Sequence, residues 1–307
     1  MNILVTGGAG FIGSQVADAY IQAGHHVAII DNLSTGRREF APPKAAFYQT
    51  DIDNPSVFKI IKNEEIQVIN HHAAQISVYD SVKDPVADAK SNIIGTLQLL
   101  QNAVSLSVEK VVFASTGGAI YGEQDCFPAQ ESHPKRPTSP YGLSKRTVED
   151  YLRFYREHHG LNSVSLRYGN VFGPRQNPHG EAGVIAIFCS RLVAGQAPVI
   201  NGDGEQTRDY VFVGDVVRAN LQALDSKCSD VFNIGTGQET SVNELSRSLL
   251  KISGSKLEVK HAPNRGYEQL RSCLDYKKAN DAFGWEPEVP LEEGLIETYK
   301  FFKNNAA

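Results

Sequence analysis

Hydrophobic residues in this 307-residue chain come first as a short apolar run, residues 1–5 with only Asn2 polar, and then at helical spacing. After Thr6-Gly7-Gly8-Ala9-Gly10-Phe11-Ile12-Gly13, the residues Val16, Ala17, Tyr20, Ile21 and Ala23 recur every three to four positions until Gly24. A short apolar run suits a strand buried on both faces, and the longer period marks an amphipathic helix, so this segment reads as strand, glycine turn and helix. The alternation repeats: strands at 26–30 and 45–52, a helix at 55–62, a strand at 68–74, a helix at 85–105, a strand at 110–115, a helix at 140–159 and a strand at 163–168. Strands separated by helices of this length predict the α/β class, a doubly wound parallel (Rossmann) sheet with ligands beyond the carboxyl ends of its strands. Past residue 170 the pattern turns irregular, with a loop-rich 177–183, a helix at 184–194, strand and turn at 198–204, a strand at 208–213, a helix at 216–224 and a strand at 231–235. Two domains follow: a nucleotide-binding one over 1–170, to which the chain returns at about 211–235, and a smaller C-terminal α/β substrate domain over 171–307.

Composition narrows the partners. With 41% hydrophobic and 21% charged residues the chain is an ordinary globular one. Its net charge of -5 and the lack of any Lys/Arg-rich run speak against nucleic acid as a partner. No run of 18 apolar residues occurs and no basic leader precedes the first strand, so neither a membrane nor export is expected, and the location read from sequence is cytoplasmic. Cys126, Cys189, Cys228 and Cys273 are scattered, without metal-ligand spacing, and read as free thiols. His71 and His72 adjoin in a strand and so point to opposite faces, which argues against a metal.

The chemistry concentrates in Thr138-Ser139-Pro140-Tyr141-Gly142-Leu143-Ser144-Lys145. Ser139 suits an N-cap and Pro140 a first helical position. Tyr141 and Lys145 then stand four residues apart on one helix face, where an ammonium would lower the phenol's proton affinity and make it a general base. In the first turn the glycines fall as Gly7-x-x-Gly10-x-x-Gly13, the spacing that lets backbone approach a pyrophosphate at a helix N-terminus. Asp31 ends the second strand 18 residues past Gly13, where an acid meets an adenosine ribose and repels a 2′-phosphate. NAD is therefore the expected cofactor, with NADP as the alternative that the nearby Arg37 and Arg38 keep open. Hydroxyls at a strand end, here Ser115 and Thr116, relay protons or simply bond to nearby backbone.

Taken together, Thr6 to Gly13, Asp31-Asn32-Leu33-Ser34-Thr35-Gly36, His72-Ala73-Ala74, Asn92 with Gly95-Thr96, Tyr141 to Lys145, Leu166 to Val171, Arg208-Asp209-Tyr210-Val211, Asn233-Ile234-Gly235 and Phe283-Gly284-Trp285 resemble the nucleotide-sugar epimerase/dehydratase branch of the extended short-chain dehydrogenase/reductase family. The resemblance spans nearly the whole chain. It implies that Gly7, Gly10, Phe11, Ile12 and Gly13 hold the NAD pyrophosphate, Asp31 the adenosine ribose, and Asp51 and Ile52 the adenine. Asn32, Ser34, Thr35, Gly36, His72, Ala73, Ala74, Asn92 and Tyr168 would complete the cofactor site, with Lys145 on the nicotinamide ribose beside Tyr141. It further implies that Thr116, Tyr141, Asn170, Val184, Ile200, Arg208, Arg265 and Glu268 face a UDP-sugar. Two guanidinium forks suit a diphosphate physically.

Within that branch the implied reaction is 4-epimerisation, interconverting UDP-glucose and UDP-galactose through a transient 4-keto sugar. Tyr141 with Ser115 or Thr116 would take the 4-OH proton. Dehydratases of the branch carry an Asp-Glu pair after the catalytic Thr. Gly117 and Gly118 stand there instead and can act as neither acid nor base. The alternatives are a 4,6-dehydratase, a reductase or an epimerase of another sugar. The loop is one residue longer than in many epimerases, which leaves both Ser115 and Thr116 as relay candidates. A small Ser272 where the branch gates the sugar 2-position implies room for UDP-GlcNAc and UDP-GalNAc as well. The helices at 85–105 and 140–159 resemble those of a four-helix homodimer interface.

Overall fold

The computed structural model describes residues 1–179, 183–263 and 269–305. Strands β1 (Asn2–Thr6), β2 (His26–Asp31), β3 (Ala46–Gln49), β4 (Val68–His71), β5 (Lys110–Thr116) and β6 (Asn162–Tyr168) come first. Shorter ones follow: β7 (Asn170–Phe172), β8 (Val199–Asn201), β9 (Thr207–Arg208) and β10 (Tyr210–Phe212), then β11 (Val231–Ile234), β12 (Thr240–Ser241) and β13 (Lys260–Ala262). The central sheet has seven strands in the order β11-β6-β5-β4-β1-β2-β3, with every pair parallel.

Alternation within each strand decides why both faces must be covered. In β1, Leu4 belongs to one apolar core while Ile3 and Val5 belong to the other, and all three are fully buried. Likewise in β5, Val111 and Phe113 face one side and Val112 the opposite one. Helices Ser56–Asn63, Gly95–Ser105 and Pro140–His159 cover the first face, and Phe11–Gln22 and Val213–Asp225 the second. Each such side chain gains roughly 1.5–3 kcal/mol by burial, so a one-residue register slip would be costly.

The helix over Pro140–His159 has the bounds that its caps predict: Ser139 Oγ accepts from Gly142 N at 3.1 Å, and Gly160 turns left-handed at φ 70°. Elsewhere the tertiary structure edits the pattern. The long helix at 85–105 divides into Pro85–Ala89, a π-helical turn Lys90–Ile94, and Gly95–Ser105. Strands 45–52 and 68–74 shorten to β3 and β4, because the chain beyond them leaves the sheet to form loops at the carboxyl ends of the strands. The 208–213 run holds two strands, β9 and β10, and helix Val213–Asp225 begins within it. Helix Val242–Ser253 lies outside the elements that the hydrophobic pattern predicts, although Ser241 and Glu244 form a capping box that signals it.

A second core gathers Phe172, Ile185, Phe188, Leu192, Ile200, Phe212, Leu245, Leu249 and Leu295, over which the pairs β7–β10, β8–β13 and β9–β12 are laid. Between this core and the carboxyl ends of the sheet lies a cavity of about 1160 Å³.

Candidate functional site

At the end of β1 the chain turns at Gly7, whose φ of +70° and whose distance of 2.8 Å from a notional Cβ to Ala73 N both exclude a side chain. A Cβ on Gly13 would meet Gly7 O at 2.3 Å, so helix Phe11–Gln22 can sit on the turn only with glycine there. Gly10 caps that helix without a side chain, and its first-turn N–H groups have no intrahelical acceptors. The result is a cradle of backbone donors with no side chain in the way, the chemistry a pyrophosphate requires. Asp31 closes the other side. Its carboxylate is 7% exposed and accepts from Ala9 N at 2.9 Å and Leu33 N at 2.8 Å, which ties the glycine turn to the loop carrying Asn32, Ser34, Thr35 and Gly36. Asn32 Nδ2 donates to the exposed Asp51 at 2.6 Å, and Ile52 packs beside Gly95. These residues fit a dinucleotide laid across the ends of β1 and β2.

Past β4, Ala73 N donates to Thr6 Oγ1 at 3.2 Å, which holds Ala73 and Ala74 against the glycine turn. His71 bonds to Thr6 Oγ1 at 2.7 Å and Thr96 Oγ1 at 2.9 Å; burial, with Lys145 and His72 adding to it, pushes its proton affinity down to about 3. His72 is likewise neutral, pushed down to about 3 by burial and then by Lys145, and its ring stacks on Tyr168 at 6.2 Å between centroids.

Tyr141 and Lys145 share the inner face of their helix. Lys145, 4% exposed, donates from Nζ to Ala114 O at 2.9 Å and lies 4.7 Å from the Phe113 ring centroid. Burial lowers it to about 8, against Asp88 and Glu149, which raise it. The expectation that the ammonium lowers the Tyr141 phenol is not met by the protein alone. Burial pushes that phenol up and Asp88 adds to the rise, while Lys145 Nζ sits 5.9 Å from the Tyr141 ring centroid and donates one of its three N–H groups to a carbonyl. Here desolvation outweighs the cation.

The two hydroxyls at the end of β5 differ sharply. Ser115 Oγ donates to Glu149 Oε1 at 2.7 Å, and Glu149 is held by Arg167 through Nε at 2.9 Å and Nη2 at 2.6 Å in a pair 2% exposed on both sides. Thr116 Oγ1 accepts from Ala119 N at 3.2 Å and donates to no acceptor among the described residues. Of the two glycines that follow, Gly117 is dictated by packing, since a Cβ there would meet Leu274 Cδ1 at 2.4 Å. Gly118 is not: a Cβ there would lie 3.8 Å from Asn170 Oδ1 and 3.9 Å from Thr116 Oγ1.

The cavity brings Gly10, Phe11, Thr35, Tyr141 and Asn170 together. Val184 begins the helix on its far wall. Arg208 is half-buried and donates to Thr207 O at 2.8 Å. Ser272 is 2% exposed and donates through its N–H to Thr207 O at 3.2 Å. Arg265 and Glu268 lie outside the described residues. Three of the residues expected at the ligand also make contacts inside the protein. Asn92 bonds to Gln75 and Asp88, the Tyr168 hydroxyl accepts from Asn220 Nδ2 at 2.9 Å, and Ile200 is 1% exposed in the second core. Sequence reasoning did not single out Ile76, Ser77, Asp80, Arg175 or Gln176, which also line the cavity. Only Arg175, at φ +69° and paired with Asp18 at 2.8 Å, is unusual enough locally to mark a special position, and a backbone angle has no sequence signal in a non-glycine residue.

Comparison with known proteins supplies what geometry does not. Residues 3–235 match the model of the NAD dependent epimerase/dehydratase family. A protein of Methanocaldococcus jannaschii described as a putative UDP-glucose 4-epimerase is 46% identical over 303 residues, covering 99% of each chain. The crystal structure of UDP-glucose 4-epimerase from Thermotoga maritima with UDP-glucose superposes with a TM-score of 0.98 at 48% identity, and that from Thermus thermophilus in complex with NAD with 0.95 at 44%; both alignments cover 100% of each chain.

Proposed function

The chain belongs to the NAD dependent epimerase/dehydratase family, and from that footing we propose that it is a UDP-glucose 4-epimerase, an NAD-dependent isomerase that interconverts UDP-glucose and UDP-galactose. The observation that carries the reading is that the glycine cradle, Tyr141 and Asn170 all open into one cavity, next to a Gly118 position that holds no acid. A bound NAD, held by the glycine cradle, Asp31 and Lys145, would supply an acceptor and donor for the C4 hydride and a positive charge near the Tyr141 phenol. Tyr141 is the base that takes the 4-OH proton and later gives it back. Thr116, whose hydroxyl donates to no acceptor among the described residues, is the relay; Ser115 holds Glu149 in place. Lys145 binds the nicotinamide ribose and keeps a positive charge beside the phenol. Asp31 takes the adenosine ribose, and Asn170, Arg208, Arg265 and Glu268 take the sugar nucleotide. Because the same residues serve oxidation and reduction, orientation of substrate and release of the keto sugar within the cavity decide the outcome.

The nucleotide-binding part is residues 1–170 with 211–235, and the substrate part is the remainder of 171–307. A homodimer is supported by apolar side chains left exposed among the described residues: Val86, Ile94, Leu143, Tyr151 and Phe154 are 74%, 47%, 52%, 38% and 46% exposed on the adjacent 85–105 and 140–159 segments. Sedimentation at micromolar concentration giving twice the chain mass supports it, and a monomer refutes it. Among the described residues no helix is long and apolar enough to cross a membrane, and a cytoplasmic location belongs to the same proposal.

The test is to incubate purified protein with UDP-galactose, adding no cofactor, and to follow the anomeric proton by NMR. A growing UDP-glucose signal supports 4-epimerisation with retained NAD. An unchanged sugar in the presence of added NAD, with a 6-deoxy-4-keto product formed from another nucleotide sugar, refutes it in favour of a dehydratase.

A further inference from the structure

One buried carboxylate beside the site has no part in the chemistry just described. Asp88, on the short helix Pro85–Ala89, is 1% exposed. Its Oδ2 accepts from Ser144 Oγ at 2.6 Å, and its Oδ1 from Asn92 Nδ2 at 2.9 Å and Gln75 Nε2 at 3.2 Å. Each donor stands on a different element. Ser144 lies between Tyr141 and Lys145 on their helix, and Asn92 lies in the π-helical turn Lys90–Ile94, a distortion that recurs at functional positions. Gln75 belongs to the loop after β4, where its N–H donates to Asn92 Oδ1 at 2.9 Å and its carbonyl accepts from Asn92 Nδ2 at 2.9 Å. That loop continues into Ile76 and Ser77, which line the cavity with Tyr141. A carboxylate bonded this way satisfies three donors at once, and charge-assisted bonds are about twice as strong as neutral ones.

We propose that Asp88 is a positioning residue for the epimerase reaction: it clamps the 72–77 loop and the π turn onto the Tyr141–Lys145 helix and supplies that pair with a buried negative charge. The inference rests on the epimerase reading above. Other charged or titratable groups facing the pair are Glu149 from the same helix and His71 and His72 from β4 and its end, and both histidines are neutral. Asp88 raises both Tyr141 and Lys145, whereas Glu149 raises Lys145. The carboxylate thus favours protonated lysine and neutral phenol, and so opposes premature ionisation of Tyr141.

The experiment compares wild type, Asp88→Asn and Ser144→Ala in the UDP-galactose assay across pH, with the NAD retained through gel filtration measured for each. Removing the charge lowers the proton affinity of both members of the pair. Asp88→Asn is therefore expected to move both limbs of the kcat/KM profile to lower pH, the acid limb by about half a unit or more. Ser144→Ala keeps the charge and loses one anchor. It is expected to leave both limbs in place, to reduce kcat/KM severalfold at every pH, and to retain less NAD. An Asp88→Asn profile that superposes on wild type after scaling overturns the electrostatic part, and a Ser144→Ala enzyme with full activity and full NAD retention overturns the clamp whether or not Asp88→Asn folds. A wild type that does not epimerise is a failure of the functional reading itself, seen before either variant is compared.

Discussion

Replacing Lys145 by Met removes an ammonium while keeping a flexible side chain of similar length, and the structure sets the size and sign of the effect on stability. Lys145 is 4% exposed, and burial lowers it from 10.5 to about 8 even with Asp88 and Glu149 beside it. A lysine held lower in the folded than in the unfolded chain costs stability wherever the unfolded chain keeps the proton. The cost is full below about pH 8, shrinks as pH rises, and is gone above about pH 10.5. At about 1.4 kcal/mol per pH unit the difference amounts to about 3 kcal/mol. Methionine forgoes the bond from Nζ to Ala114 O, worth about 1 kcal/mol, which leaves a net gain of about 2 kcal/mol. Lys145→Met is therefore expected to be inactive yet more stable than wild type near neutral pH. The assay is thermal unfolding of NAD-free protein by calorimetry at about pH 6.5 and about pH 9.5. The variant should melt several degrees higher at the lower pH, and the gap should narrow at the higher one. A variant less stable than wild type at about pH 6.5, or a gap that does not change with pH, refutes the reasoning.

Thr116→Ala should lower kcat by about a hundredfold or more while Thr116→Ser restores most of it, and Ser115→Ala should keep kcat but cost about 1–3 kcal/mol in unfolding free energy, because Glu149 loses a buried donor; the reverse pattern would make Ser115 the relay. Gly117→Ala should destabilise by about 1–3 kcal/mol through its clash with Leu274. Gly118→Ala should leave stability unchanged or raise it by about 0.5 kcal/mol and raise KM for the sugar nucleotide; equal melting temperatures for the two variants would count against this account of the loop. UDP-N-acetylgalactosamine should be converted to its gluco epimer by the wild type and not by Ser272→Tyr, and equal loss of both sugar pairs in that variant would separate Ser272 from the 2-position.

What the chain reveals by itself is what local physics fixes. The glycine turn, the Asp31 strand end and the Ser139–Gly160 helix were legible because each depends on residues within a few positions of one another: a φ only glycine tolerates, a strand period, a cap. Tyr141 and Lys145 on one face follow from helical geometry alone. The sheet order was legible as a class, since repeated strand–helix alternation with right-handed crossovers leaves few alternatives.

What needed the tertiary structure is whatever depends on distant partners. Ser115 and Thr116 are neighbours with the same functional group, and only the position of Glu149 and Arg167 shows that one proton is committed while the other meets no acceptor among the described residues. Nothing next to Asp88 in sequence marks it, yet it is buried and accepts hydrogen bonds from Ser144, 56 positions away, and Gln75. The rise in the Tyr141 phenol, against the fall its lysine neighbour suggests, is likewise a property of burial, which sums over everything packed around the group and is written in no single neighbour.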